Sequence, residues 1–148
     1  MAVYTKVSKG EIQSILSKYD VGKLIKYEEI QEGIENSNFK VTTTDGIFIL
    51  TIYEKRVKED DLPYFINLMD HLSSNGINCP KPIKDKSGEI FQKISNKKSI
   101  LVTFLSGNSI KFIDKIHCYE LGKNLANFHM QGLKFKGKRE NDLNYRSW

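Results

Sequence analysis

The residues best suited to hold a ligand form a short polar loop around Gly33. This glycine stands in the stretch EGIENSN at 32–38, together with Asn36, Ser37 and Asn38. A glycine leaves backbone N–H groups open to phosphate oxygens, because no Cβ stands in the way. The same residue types also build ordinary hairpin turns. The stretch matches neither a Walker A loop nor a dinucleotide-binding fingerprint, so on its own it is a weak signal of phosphate binding.

The histidines and cysteines predict no metal site. Cys79 and Cys118 lack a C-x-x-C spacing, and two cysteines fit a reducing compartment better than a disulfide framework. His71 and His117 have no pattern of partners that would make a metal centre. We interpret His129, at the end of a helical pattern, as a partly buried structural histidine.

Composition and charge disfavour several classes of function. The chain has 148 residues, of which 39% are hydrophobic and 28% charged, and this suffices for a domain with its own core. The net charge is +5, but the basic residues are interleaved with 18 acidic ones, so no nucleic-acid binding is predicted. No apolar run approaches the ~20 residues that span a bilayer, and no apolar signal region is seen. We expect a cytoplasmic protein that binds no membrane.

The first helix is signalled by a capping box at Ser8 and Glu11. A helix of about 11 residues follows, with Gly22 as its candidate stop. Its apolar stripe has helical spacing and consists of Ile12, Ile15, Leu16 and Tyr19. One apolar stripe on a short helix must pack against another element.

Five strands are predicted, and they supply that element. The strands are expected at 24–31, 38–43, 47–53, 89–94 and 99–105. The first three form an antiparallel meander, with a tight hairpin turn at Asp45 and Gly46. Residues 96–98 are expected to turn the chain between the last two strands.

Two further helices are predicted from apolar stripes. The second begins near Asp60 and Asp61, whose carboxylates suit the helix dipole, and ends at Gly76. Its stripe is expected to pack on the sheet and consists of Phe65, Leu68, Met69 and Leu72. The third helix spans about 114–131, with Asp114 as candidate cap. Its apolar face carries Cys118, Leu121, Leu125 and Phe128.

The order of these elements strengthens the prediction that the Gly33 loop binds phosphate. A small polar loop between the first two strands of a five-stranded sheet, with a helix after strand three, is the arrangement of a protein-kinase small lobe. Such a lobe covers ATP phosphates with its loop and holds adenine at a hinge after strand five. The predicted fold class is therefore α+β. A kinase-like small lobe is expected over 1–105, followed by the hinge exit and first helix of a truncated large lobe over 106–148.

Longer stretches of the sequence resemble one family. In chain order they are EGIENSNF at 32–39, FILTIYEKRV at 48–57, DLPYF at 61–65, GINCPKPI at 76–83, VTFLSGNSI at 102–110 and ELGKNLANFH at 120–129. Together they resemble the bacterial homoserine kinases built on the aminoglycoside-phosphotransferase fold. The resemblance covers essentially the whole chain, and the combined pattern is far more specific than any single stretch.

The resemblance implies phosphorylation of the hydroxyl of L-homoserine by ATP, with Mg²⁺, on the route to threonine. The residues implied to lie over the ATP phosphates are Gly33, Asn36, Ser37 and Asn38. Residues 102–105 would form the hinge. There, backbone groups near Thr103 and Leu105 would hydrogen-bond adenine, and apolar side chains would flank its ring.

Two positions depart from the wider kinase pattern. The strand-three lysine that usually contacts the phosphates would fall near Thr51, which carries no charge. Lys55 and Arg56, just beyond that strand, are candidates to replace it, and a solvated strand-end pair is the alternative. The glutamate expected on the following helix would fall near Phe65, so the usual lysine–glutamate pair cannot be assumed.

The residues of phosphoryl transfer itself are not found in the sequence. Kinases of this class take a catalytic aspartate and Mg²⁺ ligands from a His-x-Asp-x-x-x-x-Asn loop and a later aspartate. The acidic residues after position 113 stand in no such setting, and they are Asp114, Glu120, Glu140 and Asp142. We expect the catalytic groups, the metal ligands and most of homoserine recognition in a missing large lobe, and no activity from these 148 residues alone.

Two other functions stay open at this point. One is a related small-molecule kinase that acts on choline or an aminoglycoside, and the other is a non-catalytic nucleotide-binding module. The stretches FILTIYEKR and VTFLSGNSI favour homoserine kinase over its relatives. Specificity for the acceptor, however, would lie mainly in the absent lobe.

Overall fold

The structure is a computed structural model that describes residues 4–54, 58–141 and 144–145. The described chain divides into two compact units. The first comprises the chain up to Glu59 together with Pro80–Gly107, and the second comprises Asp60–Cys79 and the residues from Asn108 onward. The second helix of the chain thus clusters with the later residues, and the predicted lobe boundary after residue 105 stays a prediction.

The first helix, α1 (Lys9–Leu16), begins at the predicted capping box. The Ser8 hydroxyl accepts from the Glu11 N–H at 3.3 Å, and the Glu11 carboxylate accepts from the Ser8 N–H at 2.9 Å. The predicted apolar stripe is buried throughout: Ile12, Ile15, Leu16 and Tyr19. α1 is shorter than predicted because the chain turns after Leu16. Gly22 has φ +77°, and a Cβ there would lie 2.2 Å from the Thr44 hydroxyl.

The predicted five-stranded antiparallel sheet is confirmed. Its strands are β1 (Leu24–Ile30), β2 (Ser37–Thr43), β3 (Ile47–Ile52), β4 (Gln92–Ile94) and β5 (Lys97–Thr103). They lie in the order β1-β2-β3-β5-β4, and neighbours are antiparallel. The hairpin between β2 and β3 turns at Asp45 and Gly46 as predicted, and the Thr43 N–H donates to the Gly46 carbonyl at 2.8 Å.

The second hairpin differs from the prediction. Its turn consists of Ser95 and Asn96, with φ 50° and 62°, rather than residues 96–98. A two-residue turn with positive φ at both positions matches the twist of the flanking strands. Lys97 and Lys98 are therefore paired in β5, and β5 ends at Thr103 instead of residue 105.

One face of the sheet packs on α1 and forms the core of the first unit. Residues of β2 alternate between buried and half-buried positions, as expected when one face is covered. The core consists of Val7, Ile12, Ile15, Leu16, Tyr19, Val21, Phe39, Val41, Leu50, Ile52, Ile94 and Leu101. The opposite face, called the second face here, carries Asn38 and Lys40 of β2 and Ile49 and Thr51 of β3.

The second unit contains two helices, α2 (Leu62–Ser74) and α3 (Lys115–Gly132). α2 follows a 3₁₀ turn at Glu59–Asp61. Its buried residues are Leu62, Ile66 and Leu72, so the predicted stripe is wrong at Phe65, which is 37% exposed. The centroid of the Phe65 ring lies 5.1 Å from the Arg139 guanidinium, so Phe65 makes a cation–π contact instead of packing in the core.

α3 begins at the predicted cap. Asp114 Oδ1 accepts from the N–H groups of Ile116 and His117 at 2.9 and 3.0 Å. No α3 residue is buried, and Leu125 on the predicted apolar face is 51% exposed. No helix in the described ranges is long and apolar enough to cross a membrane.

Candidate functional site

The Gly33 loop joins β1 to β2 and is open to solvent. Gly33 has φ +110°, a conformation that favours glycine, and apart from Gly33 and its two chain neighbours no residue has a heavy atom within 4 Å of a Cβ built there. Side chains of residues 31–35 are exposed. The loop therefore offers bare backbone to an approaching anion, as a phosphate loop requires. That it binds phosphate stays a prediction.

Ser37 lies in the interior rather than in the loop. It is the first residue of β2 and is fully buried. Its hydroxyl accepts from the N–H groups of Tyr4 and Thr5 at 2.9 and 3.0 Å, and donates to the Glu54 carboxylate at 2.7 Å. These bonds engage the Ser37 hydroxyl inside the protein, and the place of Ser37 at the ATP phosphates stays a prediction.

Asn36 at the end of the loop and Asn38 in β2 are half-buried, and their side-chain oxygens accept hydrogen bonds inside the protein. Asn38 Oδ1 accepts from the Thr51 hydroxyl at 2.8 Å, across the pair of strands β2 and β3. Asn36 Oδ1 lies 3.5 Å from the Glu54 backbone nitrogen, at the long limit of a hydrogen bond. Neither side-chain NH₂ has a partner among the described residues, and an NH₂ group is a suitable donor to a phosphate oxygen.

A buried carboxylate, Glu54, lies at the end of β3 on the α1 side of the loop. Its side chain is 9% exposed and accepts from Thr5 Oγ1 and Ser37 Oγ at 2.7 Å and from the Lys97 ammonium. Burial opposes ionisation, but hydrogen bonds from Lys97, Thr5 and Ser37 and the Lys97 charge outweigh burial, so the Glu54 pKa is below its ordinary value. Glu54 is therefore ionised at neutral pH.

Sequence reasoning missed this cluster. Thr5 and Lys97 are 92 residues apart in the chain, and neither the spacing nor the local pattern connects them. Glu54 itself reads as one charge at the end of a strand. Its burial becomes evident only when β5 is placed beside β3.

A cation on the second face was also missed. Lys40 Nζ lies 4.6 Å from the centroid of the Phe104 ring, within the range of a cation–π contact. Lys40 pairs with Ile49, two residues before Thr51. It therefore supplies a positive charge on the face where Thr51 supplies none. The alternation of β2, which puts residues 38 and 40 on one face, was the available signal.

The predicted hinge residues differ in their backbone bonds. The Thr103 N–H donates to the Lys81 carbonyl at 3.0 Å, and the Thr103 hydroxyl accepts from the Lys81 N–H at 2.9 Å. Leu105 is 39% exposed, and its backbone has no hydrogen-bond partner in the described part of the chain. The Thr103 N–H is thus occupied and the Leu105 backbone is open, and that either residue binds adenine stays a prediction.

The described donors fit the phosphates of a nucleotide and do not fit Mg²⁺. Lys55 and Arg56, the predicted phosphate cations, lie outside the described residues. Backbone amides, asparagine NH₂ groups and the Lys40 ammonium are donors that suit anionic oxygens. Within the described ranges, no three His, Cys, Asp or Glu residues form a group that could hold a metal ion. Mg²⁺ requires oxygen ligands, which this set does not provide.

Solved structures share this fold. A spectinomycin phosphotransferase, crystallised with ADP and spectinomycin, matches 86% of the chain over 39% of its own length, with a TM-score of 0.66 and 14% identity. An aminoglycoside phosphotransferase from Alicyclobacillus acidocaldarius matches 90% of the chain over 39% of its own, with a TM-score of 0.64 and 14% identity. At such identities the similarity establishes the fold alone, which is the kinase-like fold of the aminoglycoside phosphotransferases.

Sequence comparison then gives the family. The profile of the phosphotransferase enzyme family matches residues 26–147, and the chain belongs to this family. Homoserine kinases of Xanthobacter autotrophicus and Methylobacterium radiotolerans are each 47% identical to it over 148 residues. The homoserine kinase of Bradyrhizobium diazoefficiens is 45% identical. The match covers all of this chain but 46%, 46% and 45% of these relatives, so the chain spans about half their length.

Proposed function

We propose that this chain forms the nucleotide-binding part of a homoserine kinase. The observation that carries the proposal is the bare Gly33 loop at the start of β2, on a kinase-like sheet. Identity of 47% to curated homoserine kinases over the whole chain supports the choice of reaction. In that reaction the γ-phosphoryl group of ATP passes to the homoserine hydroxyl, which gives ADP and O-phosphohomoserine.

The phosphates bind at the Gly33 loop in this proposal. Backbone N–H groups around Gly33 and the NH₂ groups of Asn36 and Asn38 donate to phosphate oxygens. Lys40 contributes positive charge from the second face of the sheet. Lys55 and Arg56 stay candidates for direct phosphate contact, since they follow β3 in the sequence.

Adenine binds beyond the end of β5. The Leu105 N–H is the donor that faces no protein partner among the described residues, and a ring nitrogen of adenine can accept from it. Phe104 and Ile49 offer apolar surface to the ring. The segment that binds adenine begins after Thr103, which is held by two hydrogen bonds to Lys81.

The same proposal assigns no phosphoryl transfer to these 148 residues alone. The sequence contains no His-x-Asp-x-x-x-x-Asn segment to provide a base near the acceptor hydroxyl, and the described residues do not fit Mg²⁺. The polypeptide should bind ATP, in the cytoplasm as predicted, without turnover. In a coupled assay with ATP and homoserine, a rate above that without enzyme would contradict this part.

Nucleotide binding is tested by a titration with a non-hydrolysable ATP analogue. Gly33→Ala places a Cβ between the loop amides and the phosphates. Loss of one charge-assisted hydrogen bond of about 1.5–3 kcal/mol weakens affinity by about 10- to 150-fold. Gly88→Ala is the matched control, because Gly88 has φ +89° and the same open surroundings. Equal affinities of the two variants would overturn the assignment of the loop.

A related kinase with another acceptor is the competing function, and the fold neighbours motivate it. Residues 1–148 can be joined to the remaining part of the Xanthobacter homoserine kinase at the aligned position. We expect this chimera to phosphorylate homoserine, with the intact Xanthobacter enzyme as control. A chimera that folds and yet fails with homoserine would favour the alternative.

A further inference from the structure

The N-terminal segment lies against the start of β2 and is tied to it through one side chain. The backbone N–H groups of Tyr4 and Thr5 both donate to the Ser37 hydroxyl, at 2.9 and 3.0 Å. Ser37 is fully buried and directly follows the last residues of the Gly33 loop. A segment more than 30 residues away in the chain therefore fixes the point where the loop enters the sheet.

The same segment also reaches the loop itself. The Tyr4 hydroxyl donates to the Ile34 carbonyl at 3.0 Å. Tyr4 is 58% exposed and Ile34 is 73% exposed, so neither side chain belongs to the core. The bond joins the residue next to Gly33 to the N-terminal segment, and it orients the Ile34 peptide group.

Glu54 holds these contacts from the α1 side of the sheet. Its carboxylate accepts from both Ser37 and Thr5 at 2.7 Å. Lys97 donates to Glu54 and, at 2.7 Å, to Thr5 Oγ1. One partly buried ion pair thus connects the N-terminal segment, the loop end and β5.

We propose that residues Tyr4 and Thr5, secured by Glu54 and Lys97, act as an anchor that holds the Gly33 loop in its conformation and thereby positions it for a nucleotide. Tyr4 and Glu54 are positioning residues in this proposal, since they act through the loop. The nucleotide half of the proposal rests on the proposed function. The anchoring half concerns the protein alone.

Amide hydrogen exchange of the 148-residue chain, measured without ligand, tests the anchor. Tyr4→Phe removes the bond to Ile34 and leaves the core intact, because Tyr4 is largely exposed. Loss of one hydrogen bond should speed exchange of the amides at 33–36 by about two- to tenfold. Tyr119→Phe is the matched control, since Tyr119 is also largely exposed, lies in α3 and makes no hydrogen bond to residues 32–36 within the described part of the chain. Unchanged exchange at 33–36 in Tyr4→Phe would overturn the anchor.

Titration with the non-hydrolysable ATP analogue tests the consequence. We expect Tyr4→Phe to weaken affinity by about two- to tenfold, because the loop must be ordered on binding, and Tyr119→Phe to leave it unchanged. Faster loop exchange with unaltered affinity would refute the positioning role. A wild-type chain that binds no nucleotide would count against the proposed function, while the exchange data would still decide the anchor.

Discussion

Replacement of Lys97 by methionine should destabilise the first unit by about 2–3 kcal/mol. Removal of one partner from a buried ion pair costs about 3–5 kcal/mol, because the other charge is left buried. Glu54 is 9% exposed, which fits that case, but Lys97 is 35% exposed and its charge is partly screened by solvent. The expected loss of stability is therefore smaller than the loss for a fully buried ion pair. Urea unfolding followed by circular dichroism measures it from the midpoint at constant slope.

A double-mutant cycle measures the interaction energy between Glu54 and Lys97 apart from their contacts with other residues. Glu54→Gln with Lys97→Met removes both charges while Gln can still accept from Thr5 and Ser37. The double variant should lose less than the sum of the single losses, with a coupling of about 1–2 kcal/mol. Additive losses would mean that the two side chains do not stabilise each other.

The pH dependence gives an independent check. The Glu54 pKa is lowered on folding, so the stability it contributes is complete above the ordinary carboxyl pKa of about 4.3 and is lost as pH falls through the lowered value. The difference between wild type and Lys97→Met should therefore be largest near neutral pH and should shrink in acid. A difference that is small at pH 7, or constant down to pH 3, would mean that the ionised Glu54 is not stabilised by Lys97.

Two further outcomes follow from the packing. Tyr19→Phe should raise the free energy of unfolding by about 1 kcal/mol, because the Tyr19 hydroxyl is buried with no partner in the described part of the chain. Burial and the Asp85 charge raise the pKa of Tyr19 to about 12 in the folded protein. Above pH 10 the tyrosine of the unfolded chain ionises first, which destabilises folded wild type. The gain in unfolding free energy of Tyr19→Phe over wild type should therefore grow above pH 10. Amides of α3 should exchange faster than those of β2 and β3, because no α3 residue is buried, and equal protection would contradict this.

Sequence reasoning predicted the elements that local signals specify. The capping box at Ser8, the cap at Asp114 and the hairpin at Asp45 and Gly46 each depend on residues within a few positions of one another. The antiparallel order of β1, β2 and β3 followed from the predicted meander, whereas the place of β5 between β3 and β4 was not predicted. The turn at Ser95 and Asn96 was misplaced because two lysines that follow it look like turn residues, whereas their pairing with β4 puts them in β5.

The candidate site was predicted less well, because its residues are decided by distant partners. Ser37 reads as a loop residue, yet its hydroxyl is held by Glu54 and by backbone more than 30 residues away. Phe65 reads as a core residue, yet the Arg139 guanidinium lies over its ring. The Thr103 N–H is occupied by Lys81, which comes from an extended connector. In each case a tertiary contact that the local pattern does not show decided the environment of the group.

The most direct measurement is a map of amide protection on addition of the ATP analogue to the 148-residue chain. We expect slower exchange in two segments, residues 32–36 at the Gly33 loop and residues 104–106 after β5. The turn at 86–89, which includes Gly88, should be unaffected and serves as the internal control. Saturable binding without protection of either segment, or no binding at millimolar analogue, would contradict the assignment of this chain as a nucleotide-binding part of a kinase.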